Sequence, residues 1–400
     1  MSASTCRTFR PAIGGSSALF VVGLDGQRRP ATMTDLEDLT RLQDGLAGLD
    51  VMHGIVNPQD IPQEGFDRRL FAAVEKSSGR FYYSQAIGAG GVRDQIEMAS
   101  VILGSRELVS RKPIFSIVLC LISPLVDPAI RTEELMEAAR HGIPLFIEVD
   151  AQPGATSPVT LAGTLVEQNA NVLAGLVLAQ AVRPGLPCIY STASGIMEPT
   201  HGSYCAAAPE STLLHAATAQ VARYYGLPFQ GGTGIDAVLS DVQAGYERAM
   251  QVLANALAGT NFVHLAVGLM DQLLSASYVQ CVIDDEIIGA AFRIARGLEV
   301  NRETLAVDVI RKVGIGGNYL VEDHTLEYLR PLRWKPDITV RQRWELWKKG
   351  GGKAMAELAR EKAERILREH HPAYIAEDAK RELDRMAVSF QQEAIASKSE

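Results

Sequence analysis

Residues 139–150 read ARHGIPLFIEVD, and this stretch contains a helix-to-strand transition that recurs along the chain. A helix is predicted to end at Gly142, because glycine readily takes the left-handed conformation of a helix cap. The apolar run that starts at Leu145 predicts a strand buried on both faces. The same construction returns at 181–193 (AVRPGLPCIYSTA) and at 222–234 (ARYYGLPFQGGTG). The helix ends lie about 40 residues apart, which is the length of one strand–helix unit.

Further strands extend the series on both sides. Residues 49–56, 80–88 and 113–122 predict three earlier strands, and the segment after Gly259 predicts a seventh. An eighth strand is expected at 278–284 (YVQCVID) or close to it. Regular alternation of strands and helices favours an α/β fold, a (β/α)8 TIM barrel, over a doubly wound Rossmann sheet. A β-hairpin turning at Leu24–Gly26 precedes the barrel.

The predicted organisation has three parts: an N-terminal hairpin and lead-in (1–33), the barrel (34–330) and a C-terminal helical extension (331–400). The extension carries a charged helix at 353–371, which we interpret as a packing or oligomer helix. We therefore expect a homo-oligomer.

Composition excludes several classes of protein. The 400 residues are 47% hydrophobic and 22% charged, as in a soluble enzyme. The net charge is −8, and the absence of a basic block argues against nucleic acid as a partner. The longest apolar runs (114–122 and 172–182) fall short of the ~20 residues of a membrane span. Five cysteines without a C-x-x-C pair argue against a disulfide framework and predict a cytoplasmic protein.

Polar side chains interrupt the apolar strands and mark a candidate site. Catalytic residues of a barrel lie at the carboxyl ends of its strands, and these segments contain few lysines or arginines. A carboxylate such as Glu148, flanked by Ile147 and Val149, requires a partner when buried. We expect at least two of the six polar residues to line a ligand cavity; the alternative is structural hydrogen bonding within a packed core. The six are His53, Gln85, Glu148, Tyr190, Gln230 and His264.

Other kinds of site are less well supported. GAGGVRD (88–94), with Arg93, offers a weak phosphate-binding pattern, and no nucleotide-binding fingerprint occurs. His201 and Cys205 are four residues apart, but no third ligand is evident, so no metal site is predicted. The loop GATSP (154–158) either contributes to the rim of a cavity or forms a tight turn without ligand contacts.

Several segments together resemble the trimethylamine methyltransferase family, and more narrowly its branch without pyrrolysine. GATSPVTLAG (154–163) and DVQAGYE (241–247) are the most specific of them. The resemblance runs from about Arg28 to the C-terminus. The remaining segments lie at 28–50, 123–149, 164–187, 208–230, 248–263 and 309–325.

This resemblance implies a TIM barrel that presents a methylated amine to a separate corrinoid protein. Cob(I)alamin on that partner would take the methyl group, so no cofactor is expected to be bound tightly by this chain. The trimethylamine enzymes carry pyrrolysine, and this sequence has none. The implied substrate is therefore a quaternary amine of the glycine betaine type.

Roles for individual residues follow from their positions at predicted strand ends. Aromatic faces and carboxylates hold such cations. We predict catalytic roles for Glu148, Asp236 and His201, and contacts of Gly154, Ala155 and Thr156 with the corrinoid. The predicted substrate-binding residues are Gln85, Tyr83, Tyr190, Glu198, Tyr204, Phe229 and His264.

Two alternative functions remain open. One is a barrel lyase or aldolase acting on a small phosphorylated substrate, for which no lysine lies at a strand end: Lys76 and Lys112 precede their strands. The other is a non-catalytic homologue that binds an amine or a corrinoid partner.

Overall fold

A computed structural model describes residues 12–13 and 18–398 of the chain. The strands are β1 (Ala12–Ile13), β2 (Phe20–Val22), β3 (Arg28–Pro30), β4 (Val51–Met52), β5 (Phe81–Ser84), β6 (Phe115–Leu121), β7 (Leu145–Val149), β8 (Cys188–Thr192), β9 (Ile196–Glu198), β10 (Ser203–Cys205), β11 (Phe229–Gly232), β12 (Phe262–His264), β13 (Leu269–Met270) and β14 (Ser275–Ser277). The helices are α1 (Met33–Asp44), α2 (Phe66–Ser77), α3 (Gly88–Leu103), α4 (Arg106–Arg111), α5 (Ala129–His141), α6 (Leu161–Val182), α7 (Pro209–Tyr224), α8 (Val242–Ala258), α9 (Tyr278–Ala295), α10 (Arg302–Leu305), α11 (Val307–Val313), α12 (Asp323–Tyr328), α13 (Trp344–Lys349), α14 (Met355–Glu369) and α15 (Glu377–Lys398).

Eight strands form one parallel sheet in the order β1-β12-β11-β8-β7-β6-β5-β4. The chain that follows β1 reaches the other end strand: the Ala18 amide donates to the Ile55 carbonyl (2.8 Å), and the Ala18 carbonyl accepts from the Asn57 amide (2.7 Å). The seven strands from β4 to β12 follow one another around the sheet without reversing direction. A doubly wound sheet reverses its strand order, so the TIM barrel prediction is confirmed.

The eighth strand was predicted in the wrong place. Residues 278–284 belong to α9, which Ser277 caps by accepting a hydrogen bond from the Gln280 amide. The segment is apolar because this part of α9 is buried, with α8 and α14 among its packing partners. The strand that pairs with β12 is β1, at the N-terminal end of the barrel.

Gly142 and Gly259 cap helices where the sequence indicated, whereas α6 ends at Val182, three residues before Gly185. Gly142 has φ 75° and closes α5, with its amide donating to carbonyls of the last turn. Strand β7 then begins three residues later, buried throughout its length. Its outward side chains pack under the helices, whereas its inward side chains meet those of the neighbouring strands inside the barrel.

The predicted hairpin is formed by β2 and β3, and Gly26 (φ 80°) provides its turn. It joins β13 and β14 in a separate four-stranded sheet. The C-terminal helices pack on the barrel, α14 against α9 and α15 against α2. No helix in the described part of the chain combines the length and apolar content that crossing a bilayer requires. The boundaries at 33/34 and 330/331 stay predictions.

Candidate functional site

Strand β7 places Glu148 inside the barrel. Side chains alternate along a strand, so Phe146 and Glu148 face the interior while Ile147 faces the helices. In the sheet, Glu148 lies beside Cys120 of β6 and Ser191 of β8. The charged residue that stood out in an apolar strand is therefore at the centre of the fold.

Three side chains donate hydrogen bonds to the Glu148 carboxylate. The Tyr83 hydroxyl and the Gln230 amide donate to Oε2, the former at 3.3 Å, and the Cys120 thiol donates to Oε1 at 3.3 Å. His264 Nδ1 lies 3.8 Å from Oε2 and 3.1 Å from Gln230 Nε2. Burial raises the pKa of Glu148, and these hydrogen bonds oppose the rise.

Aromatic rings fill the barrel beneath Glu148. The Tyr83 ring centroid lies 4.7 Å from that of Phe146 and 5.5 Å from that of Phe262, and Val118 completes this cluster. The His53 ring meets Tyr83 edge-on at 5.2 Å. Phe146 and Phe262 precede Glu148 and His264 on their strands, so the rings close the barrel on the side of the strand starts. The carboxyl ends of the strands are therefore the side from which a ligand would approach Glu148.

A second carboxylate, Asp150, lies at this open end. It follows β7 two residues after Glu148 and is exposed to solvent. The pKa of Asp150 is nevertheless raised to about 7. The larger cause is that the surrounding protein reduces its hydration, and the smaller cause is the negative charge of Glu148. Asp150 is not among the residues predicted from the sequence. The signal was present, because residues 146, 148 and 150 share the two-residue period of one strand face.

Asp236 and Tyr204 lie close to these carboxylates. Burial raises the pKa of Tyr204 well above its usual value, and the charges of Asp150, Glu148 and Asp236 add to that effect. Asp236 accepts hydrogen bonds from the amides of Ala206 and Ala207 at 2.9 and 3.1 Å. Burial raises the Asp236 pKa to about 6. Asp236 thus holds the chain that follows Tyr204, which is a positioning role.

His201 and Glu198 do not join the cluster, contrary to the prediction. Their segment folds into the β9–β10 hairpin, and His201 is exposed at its turn beside Gly202 (φ 68°). Glu198 accepts hydrogen bonds from the amide and hydroxyl of Thr200 at 3.1 and 2.6 Å, which lowers its pKa. The carboxylate stabilises the hairpin turn.

Tyr190 and Phe229 face away from the barrel interior, which also differs from the prediction. The Tyr190 hydroxyl donates to Asn169 Oδ1 of α6 at 3.2 Å, and the Phe229 ring lies 6.3 Å from that of Tyr190. Both side chains belong to the core between strands and helices. They sit on the outward positions of β8 and β11, so they cannot contact a ligand inside the barrel.

The GATSP loop is a compact turn at the rim. The amide of Gly154 donates to the Ser157 carbonyl, and those of Ala155, Thr156 and Ser157 donate to the Gln152 carbonyl. Gly154 (φ 84°) and Ala155 are exposed at the carboxyl side of β7. Because these amides are used within the turn, the loop offers no free backbone amides to a phosphate.

The backbone amides at the start of the GAGGVRD segment also form hydrogen bonds within the protein. It starts α3, and the Gly88 amide donates to Glu134 Oε1 at 2.7 Å while the Ile87 amide donates to Asp67 Oδ2 at 3.0 Å. Carboxylates therefore occupy the position where a helix would bind a phosphate. Arg93 pairs with Glu137 at 3.5 Å. This geometry disfavours a phosphorylated substrate.

Gln85 lies directly after β5 and is half-buried, with its backbone carbonyl accepting from Gln95 Nε2 at 2.7 Å.

Within residues 12–13 and 18–398, no group of three histidine, cysteine or acidic side chains is arranged to hold a metal ion.

The site is anionic. No lysine or arginine in the described part of the chain forms an ion pair with Glu148, Asp150 or Asp236, and His264 is the one basic side chain found within 4.0 Å of Glu148. A carboxylate such as Glu148, which lies beside aromatic rings and is withdrawn from water, attracts an organic cation.

Comparison with known proteins identifies the family. The family model described as trimethylamine methyltransferase (MTTB) matches residues 8–393. The chain belongs to the trimethylamine methyltransferase family. It is 34% identical over 337 residues to glycine betaine methyltransferase from Desulfitobacterium hafniense, an alignment covering 84% of this chain and 70% of that protein. It is 33% identical over 347 residues to the trimethylamine methyltransferase MttB of Methanosarcina barkeri, covering 86% and 70%.

Among solved structures, the Methanosarcina barkeri monomethylamine methyltransferase MtmB superposes with a TM-score of 0.50 at 11% identity, covering 91% of this chain and 74% of that one. At this identity the likeness concerns the fold. The sequence relatives are methyltransferases, and this member of the family is accordingly assigned to the same class of enzyme.

Proposed function

We propose that this trimethylamine methyltransferase family member transfers a methyl group from a quaternary amine, of the glycine betaine type, to the cob(I)alamin of a separate corrinoid protein. The observation that carries the proposal is the anionic, aromatic-floored site around Glu148. A relative that acts on glycine betaine supports the substrate class.

The reaction does not require the protein to transfer a proton. The carbon–nitrogen bond breaks with its electron pair on nitrogen, and the reduced cobalt supplies the pair that binds the methyl carbon. The amine leaves as a neutral tertiary amine, so no general acid is needed. The chain's tasks are to hold the cation, orient one methyl group towards the barrel mouth and exclude water.

Named residues are suited to these tasks. The Glu148 carboxylate provides the fixed negative charge, and its hydrogen bonds from Tyr83, Cys120 and Gln230 hold it in place. Asp150 adds a second charge at the mouth when it is ionised. If the substrate carries its own carboxylate, we propose Gln85 and His264 as the hydrogen-bond donors that receive it.

The rim is suited to a protein partner. Exposed aliphatic side chains follow β6, β7 and β11, the strands that carry or flank the site. They include Leu125, Val126, Val159, Val238 and Leu239, and each is at least 48% exposed. Apolar side chains exposed around a polar site are typical of a docking surface. We propose that the corrinoid protein docks here and that Gly154, Ala155 and Thr156 approach the corrin ring.

The proposal is tested by incubating the protein with reduced cobalamin and a panel of glycine betaine, choline, carnitine and trimethylamine. Formation of the methylcobalamin spectrum with a quaternary amine, lost in Glu148→Gln and kept in the exposed Glu107→Gln control, would support it. Calorimetric binding of an amine without methyl transfer would instead support the non-catalytic alternative. Transfer from trimethylamine alone would contradict the substrate class.

A further inference from the structure

A carboxylate outside the site, Glu167 of α6, holds the loop that follows β6 (122–128). Its Oε1 accepts hydrogen bonds from the Leu125 amide at 3.2 Å and from Asn171 Nδ2 at 3.3 Å. Its Oε2 accepts from the Ser123 hydroxyl at 2.9 Å. Asn171 lies one helical turn after Glu167 and also donates to the Ile122 carbonyl at 3.4 Å. Two side chains of α6 therefore fix the position of this loop.

The loop that follows β7 is joined to the same structure. The Ser123 hydroxyl lies 2.8 Å from the Thr156 carbonyl, so it can donate either to this carbonyl or to Glu167. The hydroxyls of Ser157 and Thr164 lie 2.9 Å apart, and Thr164 also donates to the preceding loop. The loops after β6 and β7 are thus connected to each other and to the start of α6.

Leu125 is held in a backbone conformation that leucine rarely adopts. Its φ is 56°, in the left-handed region that favours glycine. Around it, Ile122 and Val126 exchange two backbone hydrogen bonds, at 3.0 and 2.9 Å. A strained residue of this kind persists only where surrounding contacts determine its conformation. Glu167 provides such a contact to the Leu125 amide itself.

This conformation leaves aliphatic side chains exposed at the rim of the barrel. Ile122, Leu125 and Val126 are 51%, 62% and 48% exposed, and Val159, in the neighbouring loop, is 73% exposed. They gain little from burial within the chain, although the loop that carries three of them is fixed by hydrogen bonds. A fixed loop with exposed apolar side chains is suited to a protein partner, because little ordering remains to be done on binding.

We propose that Glu167 is a positioning residue for the corrinoid protein. It fixes the loops after β6 and β7 in one arrangement, so that Leu125 and Val126 meet the partner already ordered. Glu167 acts through hydrogen bonds within the chain and not through its charge, since both carboxylate oxygens accept from neighbouring donors. This inference rests on the proposed function, which places the corrinoid protein at this rim.

Two replacements of Glu167 separate hydrogen bonding from charge. Glutamine keeps an oxygen that can accept from the Leu125 amide and gains an amide group that can donate to the Ser123 oxygen, whereas alanine keeps neither. With glycine betaine saturating, Glu167→Ala should raise the KM for the reduced corrinoid protein about 10-fold and leave kcat within about twofold. Glu167→Gln should keep both constants close to those of the wild type.

The matched control is Glu133→Ala, which removes an exposed carboxylate from the neighbouring helix α5 and should behave as the wild type. Thermal unfolding checks that each variant is folded. If Glu167→Ala does not fold, Ser123→Ala takes its place, because it removes the hydroxyl between Glu167 and Thr156 and should also raise the KM for the corrinoid protein.

Hydrogen exchange of the Leu125 amide is a second readout that needs neither amine nor corrinoid. Exchange should be about 10-fold faster in Glu167→Ala than in the wild type, because the acceptor of this amide is lost. In Glu167→Gln the rate should stay close to that of the wild type.

Three results would overturn the proposal: an unchanged KM in Glu167→Ala, an equal rise of KM in the alanine and glutamine variants, or a Leu125 amide that exchanges at the same rate with and without Glu167. The second result would assign the effect to the charge. A wild type that transfers no methyl group to the corrinoid protein would overturn the proposed function as well, and this failure is recognised by the absence of activity in every variant.

Discussion

Glu148 shows how a single residue links fold and function. A carboxylate buried among Tyr83, Cys120 and Gln230 is held by neutral donors, so its negative charge is not cancelled within the site. A structural carboxylate would normally be paired with a cation, because an unpaired buried charge is costly. The arrangement therefore costs stability, and it leaves an uncompensated charge that suits the cationic substrate we propose.

Replacing Glu148 with glutamine separates these two effects. The variant should be more stable than the wild type at neutral pH, since its side chain carries no charge to be desolvated, and its methyl transfer should fall at least 100-fold. Burial raises the Glu148 pKa in the folded state, so its stabilising contribution is complete below the unfolded pKa and is lost as pH rises through the folded pKa. Thermal unfolding at several pH values and an amine titration measure both. An active variant would remove Glu148 from the site.

Asp150 and Asp236 predict a pH dependence of cation binding. Their pKa values are raised to about 7 and about 6, so both carboxylates gain charge between about pH 5 and pH 8. The KM for a cationic amine should fall across this range, and Asp150→Asn should flatten the upper part of the profile. The free energy of unfolding should change in the opposite sense, decreasing as these groups ionise. A KM that is independent of pH in the wild type would contradict the assignment.

Two tyrosines on different strand faces provide a matched pair. Tyr83→Phe removes a hydroxyl that donates to Glu148, whereas Tyr190→Phe removes one that donates to Asn169 outside the barrel. We expect Tyr83→Phe to change KM or kcat, and Tyr190→Phe to change only stability, by about 1 kcal/mol. Steady-state kinetics and thermal unfolding of both variants check this, and equal kinetic effects would contradict the placement of the two side chains.

At the scale of elements, the helices and strands that were predicted correctly are those that leave a periodic pattern in the sequence. Helix-ending glycines located four strands and apolar runs located three more, and polar residues within these strands identified Glu148, Gln230 and His264. The same reasoning misplaced Tyr190 and Phe229, because strands buried on both faces do not reveal which face is inward. Residues 278–284 were predicted as a strand but belong to α9, because an apolar, β-branched run is compatible with either a strand or a buried helix. β1, with two residues, was too short to leave a pattern.

The loop after β7 carries a prediction of its own. Ala155 is exposed at the rim, where a bulky side chain would project towards an approaching partner. Ala155→Trp should abolish methyl transfer to the corrinoid protein while leaving amine binding and thermal stability unchanged. Calorimetry with the amine and a transfer assay distinguish the two steps. Transfer at the wild-type rate would place the corrinoid elsewhere.

At the scale of the whole molecule, one buried ion pair fastens the last part of the barrel. Arg248 of α8 lies 3.0 Å from Asp284 of α9, and it donates to the carbonyls of Leu265 and Leu269 at 2.7 and 2.9 Å. Asp284 in turn accepts from the Gly268 amide at 2.7 Å. These contacts join two helices to the chain that follows β12.

Arg248→Leu should therefore lower the free energy of unfolding by about 3–5 kcal/mol, because it leaves Asp284 charged and unpaired in the interior. Denaturant unfolding measures this loss. Arg311→Leu, which removes an exposed ion pair with Asp308, is the control and should change stability by less than about 1 kcal/mol. Similar losses in the two variants would mean that the buried pair does not fasten the barrel.

The pairing of Ala12 with Phe262 joins residues 250 positions apart in the sequence. During synthesis, β1 leaves the ribosome long before β12 exists, and until then the growing sheet presents an unpaired edge on each side. Contacts of such long range are slow to form, and open edges favour aggregation. Production of this enzyme in a foreign host should therefore depend on chaperones that bind the nascent chain until β12, which ends at His264 of the 400 residues, has been translated.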